Sequence, residues 1–244
     1  MKLIPPSLET YFKSTRRLLY SYLVSLPLLL LYEALIYLTQ PDPEHVVRIS
    51  VDVWIKSLFT QVGYNALSIT LLVVALLGIV IFYVERKRSY TLKLRYFLGM
   101  IGEAAIYAVL LALIISNTVA GLLQLLPAEP VASISALQKI ALSLGAGLYE
   151  ELFFRVILVS LLVWLFNFFF QRQWASNLAA VVLAAFLFSL AHYTGSLGDA
   201  FTMGSFLFRF LFGLALNGIY VLRGFGMAAW THALYDIMLV AYLS

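Results

Sequence analysis

Gly145-Ala-Gly-Leu-Tyr-Glu-Glu-Leu-Phe-Phe-Arg155 places two adjacent carboxylates and a guanidinium inside a long apolar run. One ionised side chain at the centre of a bilayer costs roughly 2.5–3.5 kcal/mol on insertion scales, so three in one stretch must pair with one another or take part in chemistry. The run that holds them decides the fold. It covers residues 137–169, and similar runs recur along the chain.

Working outward, 63% of the 244 residues are hydrophobic and 11% are charged. Mean hydropathy is +0.95. That is too little polar surface to cover a soluble globule, so the chain reads as an integral membrane protein. The apolar runs are about 20 residues long, the length a helix needs to cross a hydrocarbon core roughly 30 Å thick. A barrel would show short alternating segments instead. The expected fold is an all-α, polytopic transmembrane helical bundle of about seven spans, in one domain over residues 1–244. The absence of cysteine excludes disulfides, iron–sulfur ligation and a thiol nucleophile. The net charge of +4 gathers at helix ends and forms no basic run interleaved with aromatics, which points to topology and a lipid bilayer and away from nucleic acid.

The runs read as spans are Leu18–Leu38, Ala66–Val84, Phe97–Leu126, residues 137–169, Trp174–Tyr193, Phe201–Leu222 and Phe225–Leu243. The first is longer than a secretory-signal core and lacks a small-x-small cleavage pattern, so it is expected to stay as a membrane helix. Glu33 near its end is expected to snorkel to the interface. Residues 40–64 read as an extramembrane loop with a short interfacial helix. The basic cluster Glu85-Arg-Lys-Arg88 fits a cytoplasmic loop. That choice puts the N-terminus inside, residues 127–136 outside, Arg172 inside, Gly195–Asp199 outside and Arg223 inside, as in a multi-pass protein of the cell membrane. No inverted repeat is evident, which weighs against a transporter.

On an α-helix residues four apart share a face, so Glu151 lies over Arg155 in the favourable order and the two can neutralise each other. Glu150 is turned about 100° away, towards Phe154, and has no local partner. It is the carboxylate available as a base. Two of the three histidines also fall in apolar runs: His192, in Phe188-Ser-Leu-Ala-His192, and His232, in His232-Ala-Leu-Tyr-Asp236. Asp236 is four residues from His232 and can hold its imidazole in one tautomer. Each of these groups could instead be a satisfied packing residue or part of an interhelical salt-bridge network. Convergence of Glu150, His192 and His232 from three helices would suit a water-filled catalytic or metal site.

These stretches match the EExxxR, FxxxH and HxxxN/B motifs in the order and spacing of the CPBP family, also called ABI. The chain therefore resembles the CAAX-protease and bacteriocin-processing membrane peptidases over about residues 140–240, a CPBP-like core placed at 137–244. Residues 1–136 are placed by hydropathy alone. The resemblance implies an intramembrane endopeptidase acting on a peptide or protein, prenylated or not. It makes Glu150 the base that activates water, His192 its partner, and His232 with Asp236 the stabilisers of the oxyanion, with Glu151 and Arg155 in support. Asp236 departs from the family's asparagine, because an ionised aspartate cannot donate to an oxyanion. It serves if protonated, or if it holds His232 as the donating imidazolium.

The same Glu150, His192, His232 and Asp236 make a two-histidine, two-carboxylate set that a zinc-type metallopeptidase could use. No HExxH is present, and the metal-free glutamic mechanism with no cofactor is favoured. From a different class, the same residues could form the proton or ion relay of a membrane scaffold or transporter.

Overall fold

The structure is a computed structural model and describes residues 6–40, 47–60, 66–87, 92–123, 135–194 and 198–243. Among the described residues there is no strand. The helices are α1 (Pro6–Thr15), α2 (Leu18–Thr39), α3 (Ser50–Thr60), α4 (Ala66–Glu85), α5 (Leu94–Leu123), α6 (Ala136–Gly145), α7 (Ser160–Phe166), α8 (Gln173–Ala191), α9 (Met203–Arg223) and α10 (Phe225–Leu243). Each run read as a span contains a helix. Among the described residues, four helical stretches are long and apolar enough to cross a membrane: Leu18–Thr39, Leu94–Ile115, Gln173–Ala191 and Met203–Arg223. Thr70–Glu85 is a shorter apolar helix. The protein is an all-α integral membrane protein. The loop readings at residues 127–134, at Arg88 and at residues 195–197 lie outside the described residues.

α10 is the centre of the bundle, packed against α2, α5, α6 and α9. Ala228, Ala229 and Ala233 are fully buried along it. Small side chains of this kind let membrane helices approach closely, where van der Waals contact rather than water release holds them together. Gly147 carries the same logic across the interface, since a Cβ there would fall 2.5 Å from the Ala229 carbonyl oxygen. This close approach brings the charged stretch against α10.

Between α6 and α7 the long helix widens into two π-helical segments, Ala146–Glu150 and Leu152–Val159. Single π turns inside α-helices recur at functional sites because the wider turn re-aims side chains. It also corrects the α-helical wheel used to place Glu150, whose 100° step does not hold in a widened turn.

Among the described residues, charged clusters inside the bundle include two that are structural and one that holds the EExxxR residues. Glu33 does not snorkel. Its side chain is only 13% exposed and lies 2.5 Å from Lys56 Nζ and 3.2 Å from Arg48 Nη1. Both cations also reach Asp52, which accepts from the Tyr32 hydroxyl. The cations come from α3 and the residues just before it, so the far end of α2 is met by positive charge from the protein and has no need of the interface. At the other end of the bundle Arg223 is not merely a topological mark. It is buried, and its Nε and Nη2 donate to the two oxygens of Glu103. Tyr11 on α1 donates to the same carboxylate at 2.7 Å. Burial, and then Glu103, push the Tyr11 hydroxyl well above its ordinary range, so it stays protonated and remains a donor.

Candidate active site

The π-helical turns send Glu150 and Glu151 to different neighbours. Glu151 is fully buried, and its Oε1 is shared by Arg155 Nη1 at 2.9 Å and His232 Nδ1 at 2.7 Å. The Glu151–Arg155 pair expected from the sequence is present. The bond to His232 was not foreseen, because no spacing along the chain links residues 151 and 232. A carboxylate against Nδ1 requires that nitrogen to carry the proton, which fixes the imidazole's orientation. Its Nε2 points the other way, 3.5 Å from Asp236 Oδ2. His232 is thus flanked by acidic groups on both ring nitrogens, where the sequence supplied only Asp236.

Glu150 faces the opposite way. Its Oε2 is buried and has no hydrogen-bond partner. The nearest cationic or imidazole nitrogen is His192 Nε2, 3.9 Å away. His192 follows the last residue of α8 and commits its Nδ1 to the Phe188 carbonyl oxygen at 2.9 Å, which leaves Nε2 turned to Glu150. A gap longer than 3.5 Å between two such groups is a place to look for a bridging water.

Phe188 organises the aromatic side of the cluster. Its ring lies edge-on to His192 at 4.9 Å and to His232 at 6.1 Å between centroids. Arg155 sits 4.4 Å above the same ring, so the fully buried guanidinium has a π face beside it as well as Glu151. In FxxxH the phenylalanine therefore wedges the two histidines and the arginine apart, while the histidine four residues on turns to the glutamate.

Among the described residues no three histidine, aspartate or glutamate side chains form a group able to hold a metal ion. His232 and His192 each place Nδ1 on an oxygen, of Glu151 and of Phe188, and turn Nε2 to a carboxylate, of Asp236 and of Glu150. No step below runs through a metal.

A site-lining cation escaped the sequence reading. Arg209, in Ser205-Phe-Leu-Phe-Arg209 on α9, is a charge inside an apolar run, the same signal that singles out Glu150. It donates to the Tyr193 hydroxyl at 2.9 Å, next in sequence to His192, and its charge reaches both His192 and Asp236.

Residues 130–238 match the family model described as type II CAAX prenyl endopeptidase, Rce1-like. Over that stretch the chain is similar to the CAAX prenyl endopeptidases. The matched region contains every one of the residues above from Glu150 to Asp236, and residues 1–129 lie outside it. No curated protein and no solved structure matches the chain. The similarity to a membrane protease family of the CAAX type therefore falls on the part of the chain that holds the buried charges.

Proposed function

We propose that this chain is a CPBP-type, glutamic intramembrane endopeptidase that cuts a CAAX-like substrate near its C-terminus. The observation that carries the reading is Glu150 Oε2, buried, without a hydrogen bond, and 3.9 Å from a free ring nitrogen of His192. Two acceptors so placed can hold one water between them, and a buried carboxylate oxygen without a hydrogen bond is suited to take its proton.

In this scheme Glu150 removes a proton from the water as its oxygen bonds to the scissile carbonyl carbon. The carbonyl electron pair moves to oxygen, and that oxyanion is met by the Nε2–H of His232, doubly protonated between Glu151 and Asp236. Asp236 is then the group that keeps this proton in place, a role an ionised aspartate can fill where direct donation cannot. Collapse breaks the C–N bond, and the proton held by Glu150 passes to the leaving amine. Glu151 and Arg155 hold His232 and the widened turn in register, as outer partners do for the groups that react.

Mass spectrometry of farnesylated and unprenylated peptides ending in a CAAX sequence, incubated with the purified full chain, tests the reading. Release of a C-terminal tripeptide is expected. Intact peptides throughout, together with proton or ion flux in liposomes, would instead support a relay.

A further inference from the structure

Arg209 stands at the rim of the proposed centre with its charge uncommitted to the groups that react. Its Nη1 donates to Tyr193 and Ser205, and its Nη2 to Asp199. The guanidinium also lies 5.3 Å over the Tyr193 ring. These contacts anchor it beside His192, because Tyr193 is the next residue and the backbone N–H of Asp199 donates to the His192 carbonyl at 2.9 Å. The pair with Asp199 is the replaceable element. The Asp199 side chain is 50% exposed and that of Arg209 23% exposed, and an ion pair so open to solvent contributes little. The three bonds leave two of the five guanidinium donors for a second acceptor.

We propose that Arg209 receives the free α-carboxylate at the substrate's C-terminus, displacing Asp199 and setting where the chain is cut. The proposal rests on the endopeptidase reading above and adds the substrate feature that fixes register. A CAAX end presents its carboxylate three residues beyond the scissile bond. Three extended residues span on the order of 10 Å, so a cation anchored beside His192 through Tyr193 rather than in contact with Glu150 suits that end. A planar fork matches a carboxylate in two-point contact, and a lysine would offer only a point charge.

The test uses the full chain in detergent with two farnesylated peptides of identical sequence, one ending in a free carboxylate and one in an amide. The wild type is expected to favour the carboxylate about 10- to 100-fold in kcat/KM, the scale of one charge-assisted contact. In Arg209→Gln that ratio falls to about 1, and Arg209→Lys recovers part of it. If Arg209 only clamps the loop after His192, both peptides lose rate together and the ratio stays at its wild-type value, which overturns the proposal. Asp199→Asn provides a second route should Arg209→Gln fail to fold. It removes the competing anion, so KM for the carboxylate peptide should drop while the amide peptide's does not, and an equal change in both counts against the proposal. A wild type that cuts neither peptide would remove the endopeptidase reading itself, whereas one that cuts both equally removes only the role of Arg209.

Discussion

Glu103 and Glu150 are both glutamates in apolar helices, and the bundle treats them in opposite ways. Glu103 has both oxygens doubly met: Tyr107 and Arg223 Nε on Oε1, Tyr11 and Arg223 Nη2 on Oε2. Glu150 keeps a buried oxygen with no hydrogen bond, and a histidine just out of contact. A buried charge costs several kcal/mol unless it is paired, so the first arrangement is what stability demands and the second is a departure from it. Complete pairing ties α1, α5 and α9 together. Incomplete pairing leaves a carboxylate able to act on something that is not protein.

Breaking the satisfied side should have the largest effect on folding. Arg223→Ala strands the Glu103 charge and is expected to destabilise by about 3–5 kcal/mol, read as a lower unfolding midpoint in detergent. Glu150→Gln, by contrast, should leave the midpoint where it is or raise it. A fall in both would erase the distinction between the two glutamates.

Glu151 combines the two roles. Glu151→Gln is expected to lower kcat about 10- to 100-fold by loosening His232, and also to lower the unfolding midpoint by leaving Arg155 without its anion. A loss of stability with unchanged kcat would reduce Glu151 to a structural group. Asp236→Asn should be milder, within about tenfold in kcat/KM, because asparagine can donate directly to the oxyanion that His232 otherwise serves alone. The smallest effect is expected from metal removal: chelation followed by metal analysis should leave turnover unchanged in metal-free protein. Loss of activity restored by added zinc would return Glu150 and His192 to the role of ligands.

The sequence exposed those parts of this arrangement that follow a local rule. Apolar run length gave the helices, and a spacing of four residues gave Glu151 with Arg155 and His232 with Asp236. Contacts between distant helices had no such rule. Glu151 with His232, Glu103 with Arg223, and Glu33 with Lys56 join residues whose proximity depends on packing, so Glu33 was read as a snorkelling group and Arg223 as a topological mark. The π-helical widening was equally hidden, because the spacing of residues along the chain does not distinguish it from an α-helix. Arg209 was legible in principle as a lone cation among phenylalanines. It went unread because it belongs to no motif.

The account turns on Glu150 being the base rather than one more buried charge. Turnover of a farnesylated CAAX peptide by Glu150→Gln, measured beside the wild type with the unfolding midpoint as a control, tests this most directly. A drop of about 10²–10⁴-fold with an undiminished midpoint is the expected result, the range that general-base catalysis supplies. Turnover within a few-fold of wild type by a folded Glu150→Gln protein would contradict it.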